Sequence, residues 1–479
     1  MEKPLSFVSK LSLEEMALRR VVANLWIASD ILPAFLQPPF KRYPEDEDEE
    51  EWLSFDEDRI QNIEEGRETV EKVKAKVSNL VIPESLKKRM MHIVKPIGSD
   101  ILKWKTQNEK LLSNTYEHLD VHILGQLRWT CTGAVDYKKT AERLICLKLL
   151  SIVNRYKLAC LFCLGNYIPF LWEELPEKNK SYFYDERCIL PIQMEFYWAY
   201  VLKGEESKLD DTLRRLYRSA NLTFHQYAFG ISARKGNKAA TEHFFQKLTC
   251  EERGDFLIST ACNVVFKRCT QDGPSLSSEF PNEKISDVLC YLLSVMSPEQ
   301  QMRVFKKDPA EVLSCFLDWP LQDLFLDVAD IIWTIPREAS HNPVEAYILQ
   351  NIAFGSYYFP DLIQKFFLRI PREFREHFLF AFGTLFSISS FKEDADTLKV
   401  VFRNIDHEGR AELASSYWCL HLLEGLISQD NWHLFELCLR EAAHSKEDRE
   451  RMKEAIISHL PEYLKCSRLK RCFELLDET

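Results

Sequence analysis

Apolar residues in this chain fall in short runs of helical spacing divided by polar turns, and the second half repeats that arrangement at a nearly constant interval. The apolar clusters are Phe244, Phe245 and Leu248; Leu289, Leu292 and Leu293; Leu362, Phe366 and Phe367; Leu398, Val401 and Phe402; and Leu434, Leu437 and Leu439. Spacings of three and four put each cluster on one helix face. Polar turns stand ahead of them: Lys235-Gly236-Asn237, Pro281-Asn282-Glu283, Lys392-Glu393-Asp394 and Gln429-Asp430-Asn431. Behind them comes an apolar residue, then Thr, Ser, Pro or Asp, then any residue, then Glu. The copies centre on Thr249, Ser297, Pro336, Pro371 and Asp406, with a looser one at Ser445, so the steps are 48, 39, 35, 35 and 39. Such a period predicts stacked helical hairpins, because neither helix of a pair can bury its apolar stripe alone.

The signature has a physical reading. A Thr, Ser or Asp side chain can accept from the exposed N–H groups that open a helix, and Pro needs no such partner in a first turn. The Glu two residues later, at 251, 299, 338, 373, 408 and 447, favours the positive end of the helix dipole. Residues 270–283, rich in Ser, Pro and Gly, read as an insertion that accounts for the long first step. The unit around Leu213 to Phe229 shows no clear cap.

Upstream, residues 1–115 read as a helical N-terminal region without the repeat, and 116–479 as the solenoid. Ser12 with Glu15 forms a capping box for a helix carrying Leu18, Val22 and Trp26, which Pro33, Pro38 and Pro39 end. Ile63, Val70 and Val77, with Val73 and Leu80, form a short heptad stripe, read as an amphipathic helix packed on the body. Between them the run Glu45 to Glu51, near 44–51, is a solvated acidic loop. Lys87, Lys88, Arg89, Lys95, Lys103 and Lys105 form a basic face that the acidic run could partner.

Composition narrows the class. Glycine is scarce at 14 residues, which disfavours a large all-β protein, and the expected fold is all-α. A net charge of −11 argues against a nucleic-acid partner. No apolar run approaches the roughly eighteen residues of a membrane span, and no basic-then-apolar leader opens the chain. The fourteen cysteines are scattered, with Cys146, Cys262, Cys290, Cys315, Cys419 and Cys438 inside apolar patterns, as reduced core residues would be. The expected compartment is cytoplasmic.

Ser232-Ala233-Arg234-Lys235-Gly236-Asn237, followed by Phe244 and Leu248, resembles the second half of an ankyrin unit. With Lys157 to Glu177, this stretch makes the chain look like divergent ankyrin-like helical-repeat proteins, including large uncharacterised ones in arthropods. The Thr-Pro-Leu-His signature of that family is absent, and the period exceeds its 33 residues. The resemblance implies a cytosolic interaction protein and carries over no functional residue.

Candidate chemistry is sparse. Cys160-Leu161-Phe162-Cys163 is the only CxxC, and it reads as two structural thiols in an apolar helix, without the further ligands zinc requires. His377 and His407 read as surface residues. Glu173-Glu174, Asp210-Asp211 and Asp327/Asp330 read as exposed charges or caps. No catalytic residue, metal site or cofactor is expected. Tyr357-Tyr358-Phe359 places aromatic residues where other units have a polar turn, and Trp432 holds a comparable position, so these four are the candidate protein-binding residues. The expected function is a non-enzymatic scaffold or adaptor for protein partners. The alternatives are an effector-like regulator with a separate N-terminal binding region, or an enzyme with an unfamiliar site.

Overall fold

Helices account for nearly all regular structure in the computed structural model, and the protein is all-α. The structure describes residues 7, 11–35, 68–112, 121–184, 193–216, 222–269, 285–335, 344, 347–349, 360–375, 378, 395–404, 417–428, 430–442, 446–459 and 470–477. The acidic run at 45–51, the insertion at 270–283, Tyr357, Tyr358, Phe359, His377 and His407 lie outside the described residues. Two units result: Met1–Lys307 with Asp318–Asp323, and Asp308–Leu317 with Leu324–Thr479.

In the first unit, α1 (Leu13–Trp26) begins where its cap predicts, with Ser12 Oγ accepting from Glu15 N. The Glu15 carboxylate is engaged by Arg19 and Arg89, and Arg89 also reaches Glu14. Arg89 of the basic face therefore finds its acids on α1. Helix α2 (68–78) buries Val73 and Val77 completely, as the heptad stripe predicts. Helix α3 (Glu84–Leu112) packs on α1, and the Trp26 indole donates to Val94 O at 2.8 Å. From there α4 (Tyr137–Leu147), α5 (Ile152–Leu161) and α6 (Ile168–Glu174) continue the core. Next come α7 (Met194–Leu202), α8 (Lys208–Leu216), α9 (Phe224–Arg234), α10 (Lys238–Lys247) and α11 (Cys250–Cys269). Helices α12 (Ile285–Ser294) and α13 (Pro298–Lys307) complete the unit's sequence of helices.

One turn recurs between paired helices. A residue with positive φ follows the first helix, and the next N–H donates five residues back. It appears at Cys163 (Leu164 N to Ala159 O, 2.9 Å), Gly204 (Glu205 N to Tyr200 O, 2.9 Å) and Gly236 (Asn237 N to Ser232 O, 3.0 Å). In the second unit it appears at Asp430, with Asn431 N to Leu426 O at 3.0 Å. This bond closes the helix end and reverses the chain. Gly, and Asp less readily, tolerate the left-handed conformation it needs.

The caps form at Thr249 and Ser297. Thr249 Oγ1 accepts from Glu252 N, and the Glu252 carboxylate accepts from Thr249 N at 2.8 Å. Ser297 and Gln300 make the same pair, with Ser297 N to Gln300 Oε1 at 3.0 Å. The reciprocal partner is the third residue after the cap, whose side chain folds back over the first turn, while Glu251 and Glu299 lie in the first turns, where the helix dipole favours them. Thr223 and Gln226 form another such box, opening a helix in the unit where the sequence showed no cap. Pro371 precedes a 3-10 turn, Arg372–Phe374, while Pro336, Asp406 and Ser445 lie outside the described residues.

In the second unit, α14 (Pro360–Arg369) buries Ile363, Phe366 and Phe367, with Phe366 against Phe325, Trp333 and Phe378 and Phe367 against Phe378. Helices α15 (Ala395–Arg403) and α16 (Tyr417–Ser428) lead to α17 (Trp432–Ala442). Arg403 clasps both Glu441 oxygens, tying α15 to α17. The apolar faces expected at Leu398, Val401 and Phe402 and at Leu434 and Leu439 are buried.

Candidate functional site

A polar cluster assembles in the first unit from segments that show no common motif. Tyr197 comes from α7, Glu206 from the turn after Gly204, His225 from the first turn of α9, and His243 and Lys247 from α10. The Thr223–Gln226 box fixes the start of α9 and so the place of His225. His243 and Lys247, four apart, share a face of α10. Thr223 Oγ1 donates to Glu252 Oε1 at 3.1 Å, which sets the N-termini of α9 and α11 side by side next to the cluster.

His225, Glu206, Tyr197 and His243 form one chain of hydrogen bonds. His225 Nε2 lies 2.9 Å from Glu206 Oε1. The Tyr197 hydroxyl donates to the same oxygen at 3.0 Å and stands 2.9 Å from His243 Nε2. A phenol has a single proton, already given to Glu206, so His243 must donate through Nε2–H. Lys247 Nζ adds a longer contact to Glu206 Oε1 at 3.4 Å. The rings of Tyr197 and Trp198 flank His243, with centroids 5.5 and 5.0 Å away.

Charge follows from this arrangement. Burial alone would raise the Glu206 carboxyl, but bonds from His225 and Tyr197 and the Lys247 charge hold it below its ordinary value. Burial and the Lys247 charge push His243 down to about 4, so it is neutral at pH 7. Burial and the Glu206 charge push the Tyr197 phenol up, and it keeps its proton. A fixed anion, a neutral imidazole and a half-exposed ammonium can dock a polar partner group or pass a proton along the chain. Periodicity cannot reveal the cluster, since its members belong to two successive hairpins and meet only when these stack. The signal within reach was the His243/Lys247 spacing.

The sequence candidates fall elsewhere. Trp432 opens α17 half-buried, its indole N–H donating to Asp430 Oδ1 at 3.2 Å and the Arg471 guanidinium 4.3 Å over its ring. Tyr357, Tyr358 and Phe359 are outside the described residues. Asp210 caps α9 through Phe224 N at 2.7 Å, Asp211 is exposed beside Arg214, and Asp330 pairs with Arg369 at 2.7 Å. Cys262, Cys290, Cys315 and Cys438 are buried as expected, whereas Cys146 is exposed, 3.6 Å from the Tyr167 hydroxyl. Cys160 lies in the last turn of α5, in the core, but Cys163 lies beyond the helix in the turn. Among the described residues no group of three or more His, Cys, Asp or Glu is placed to hold a metal ion, and no helix is long and apolar enough to cross a membrane. The chain matches no known family, no curated protein and no solved structure.

Proposed function

We propose that the chain is a non-enzymatic interaction scaffold or adaptor for protein partners, working in the cytoplasm and ankyrin-like in stacking helical hairpins. The observation supporting this reading is the recurrence of one left-handed turn at Cys163, Gly204, Gly236 and Asp430, each joining two helices. Hairpins closed in this way are rigid, and a preformed surface lowers the ordering cost of binding. In the first unit the half-exposed edge of Glu206, His225 and Lys247 is the docking surface; in the second it is the edge that carries Trp432, and Tyr357, Tyr358 and Phe359 are the further anchors that the sequence pattern offers.

The experiment is quantitative affinity capture from native cytosolic extract with the full chain, beside His225→Ala and Trp432→Ala variants of unchanged circular dichroism. A protein held by the wild type and lost by one variant supports the reading and locates the surface. A wild type that retains nothing beyond a denatured-bait control sinks it.

A further inference from the structure

The CxxC segment does not behave as two equivalent core thiols. Helix α5 ends at Leu161, and the chain turns through Phe162 and Cys163. Cys160 is fully buried, Cys163 is half-buried, and both are reduced. Cys163 N donates to Cys160 O at 3.1 Å. A four-residue turn closed by that bond keeps its end Cα atoms within about 7 Å, the range a disulfide spans.

Cys163 also holds a conformation that suits it poorly. Its φ is +50°, the left-handed position that the other hairpin turns of the first unit give to Gly204 and Gly236. A residue with a Cβ is strained there, and glycine would close the same turn without that strain. Strained residues of this kind cluster where a site is put to use. The Leu161 carbonyl, between the two cysteines, accepts from Asn237 Nδ2 at 3.2 Å, so this turn is where one hairpin is bonded to another.

We propose that Cys160 and Cys163 form a reversible redox modification site, closed to an intramolecular disulfide by a low-molecular-weight disulfide such as oxidised glutathione. The half-buried Cys163 attacks as thiolate, having given its proton to solvent. It forms a mixed disulfide and releases one glutathione thiolate. Cys160 then attacks the Cys163 sulfur, its proton passing to the departing glutathione sulfur, so that the Cys160–Cys163 bond forms as the second glutathione leaves as a thiol. Two protein thiols are oxidised and one glutathione disulfide is reduced to two thiols. Burial pushes the Cys160 thiol up and keeps it protonated, so the first attack falls to Cys163. The closed ring fixes the turn that accepts from Asn237.

The test uses the full folded chain treated with oxidised glutathione, its remaining thiols then blocked with N-ethylmaleimide, and the product digested with trypsin and weighed. Cleavage after Lys157 and Lys178 gives the peptide 158–178, which holds both cysteines and no other. The expected result is loss of two hydrogens from this peptide, reversed by dithiothreitol, and a single glutathione on Cys163 in the Cys160→Ser variant. The exposed Cys131 serves as internal control for the oxidant. A peptide that stays a dithiol while Cys131 is modified overturns the proposal. So does a disulfide that forms only in urea, or a Cys160→Ser variant that takes no glutathione at Cys163.

Discussion

Arg19 and Asp323, 304 positions apart, meet in the first unit with Nη2 3.0 Å from Oδ1. The remaining Arg19 donors are also placed, Nε on Glu15 Oε1 at 3.2 Å and Nη1 on Thr132 O at 3.0 Å. The Trp319 ring lies 4.7 Å from the guanidinium carbon, and the Arg19 side chain is only 6% exposed. One guanidinium thus bonds α1 to the loop near residue 132 and to the segment 318–323. Its planar fork serves three acceptors in three directions, which an ammonium on a flexible stem does not reproduce.

Arg19→Met should therefore lower the stability of the chain by about 3 kcal/mol, because it leaves a carboxylate and a carbonyl without their buried donor. Arg19→Lys should recover less than half of that. Urea unfolding followed by tryptophan fluorescence reads both, and a lysine variant unfolding at the wild-type midpoint would show that the fork geometry contributes nothing.

Asn237 performs two tasks at a fully buried position. Its Oδ1 caps α10 by accepting from Ala240 N at 2.9 Å, and its Nδ2 reaches Leu161 O. Asn237→Ala should cost about 2 kcal/mol. Asn237→Ser keeps a cap but not the long-range bond, and should cost about half as much. Full stability in the serine variant would remove Leu161 from the account.

Gly98 sits inside α3 where any side chain would enter the Trp26 indole. That indole is 2% exposed and hydrogen-bonded to Val94 O, so it has no room to withdraw. Gly98→Ala, normally favourable in a helix, should here destabilise by about 2 kcal/mol through overpacking. Gly165, whose added Cβ would meet nothing, is the control. Thermal melts of the two variants that coincide would contradict the packing of α1 on α3.

Acid should weaken the first unit through His243. Unfolded, this histidine titrates near 6.5, and in the fold only at about 4. Between these values the unfolded chain binds a proton that the folded chain does not, so stability is full above pH 6.5 and declines as pH falls toward 4. Glu206 acts in the same direction, since its lowered carboxyl loses its contribution on protonation. His243→Gln retains an N–H for the Tyr197 oxygen and cannot titrate, so its melting temperature should fall less across that window. Equal slopes for variant and wild type would mean that the imidazole is already charged in the fold.

The all-α class, the helix faces and the turn positions were legible in the chain because they depend on neighbours three to five residues away. Leu289, Leu292 and Leu293 follow the helical period and are buried. Gly236-Asn237 and Asp430-Asn431 are turns because few other residues accept a left-handed backbone. The caps at Thr249 and Ser297 and the first-turn Glu251 and Glu299 are local features and were legible, whereas the back-bonds from Glu252 and Gln300 to the cap N–H groups were seen only in the structure.

The Glu206 cluster and the Arg19 node were not legible, for a reason of distance along the chain. Tyr197, Glu206, His225, His243 and Lys247 are each unremarked in their own segment, and Arg19 looks like an ordinary surface cation of α1. Local periodicity is set by a residue's own helix, so the sequence by itself determined which elements form and which faces they bury. Which polar groups meet depends on how those faces stack, and only the tertiary structure decided that: burial, with the Lys247 charge beside it, made a pKa of about 4 at His243, and three acceptors brought from separate segments made a three-way clasp at Arg19.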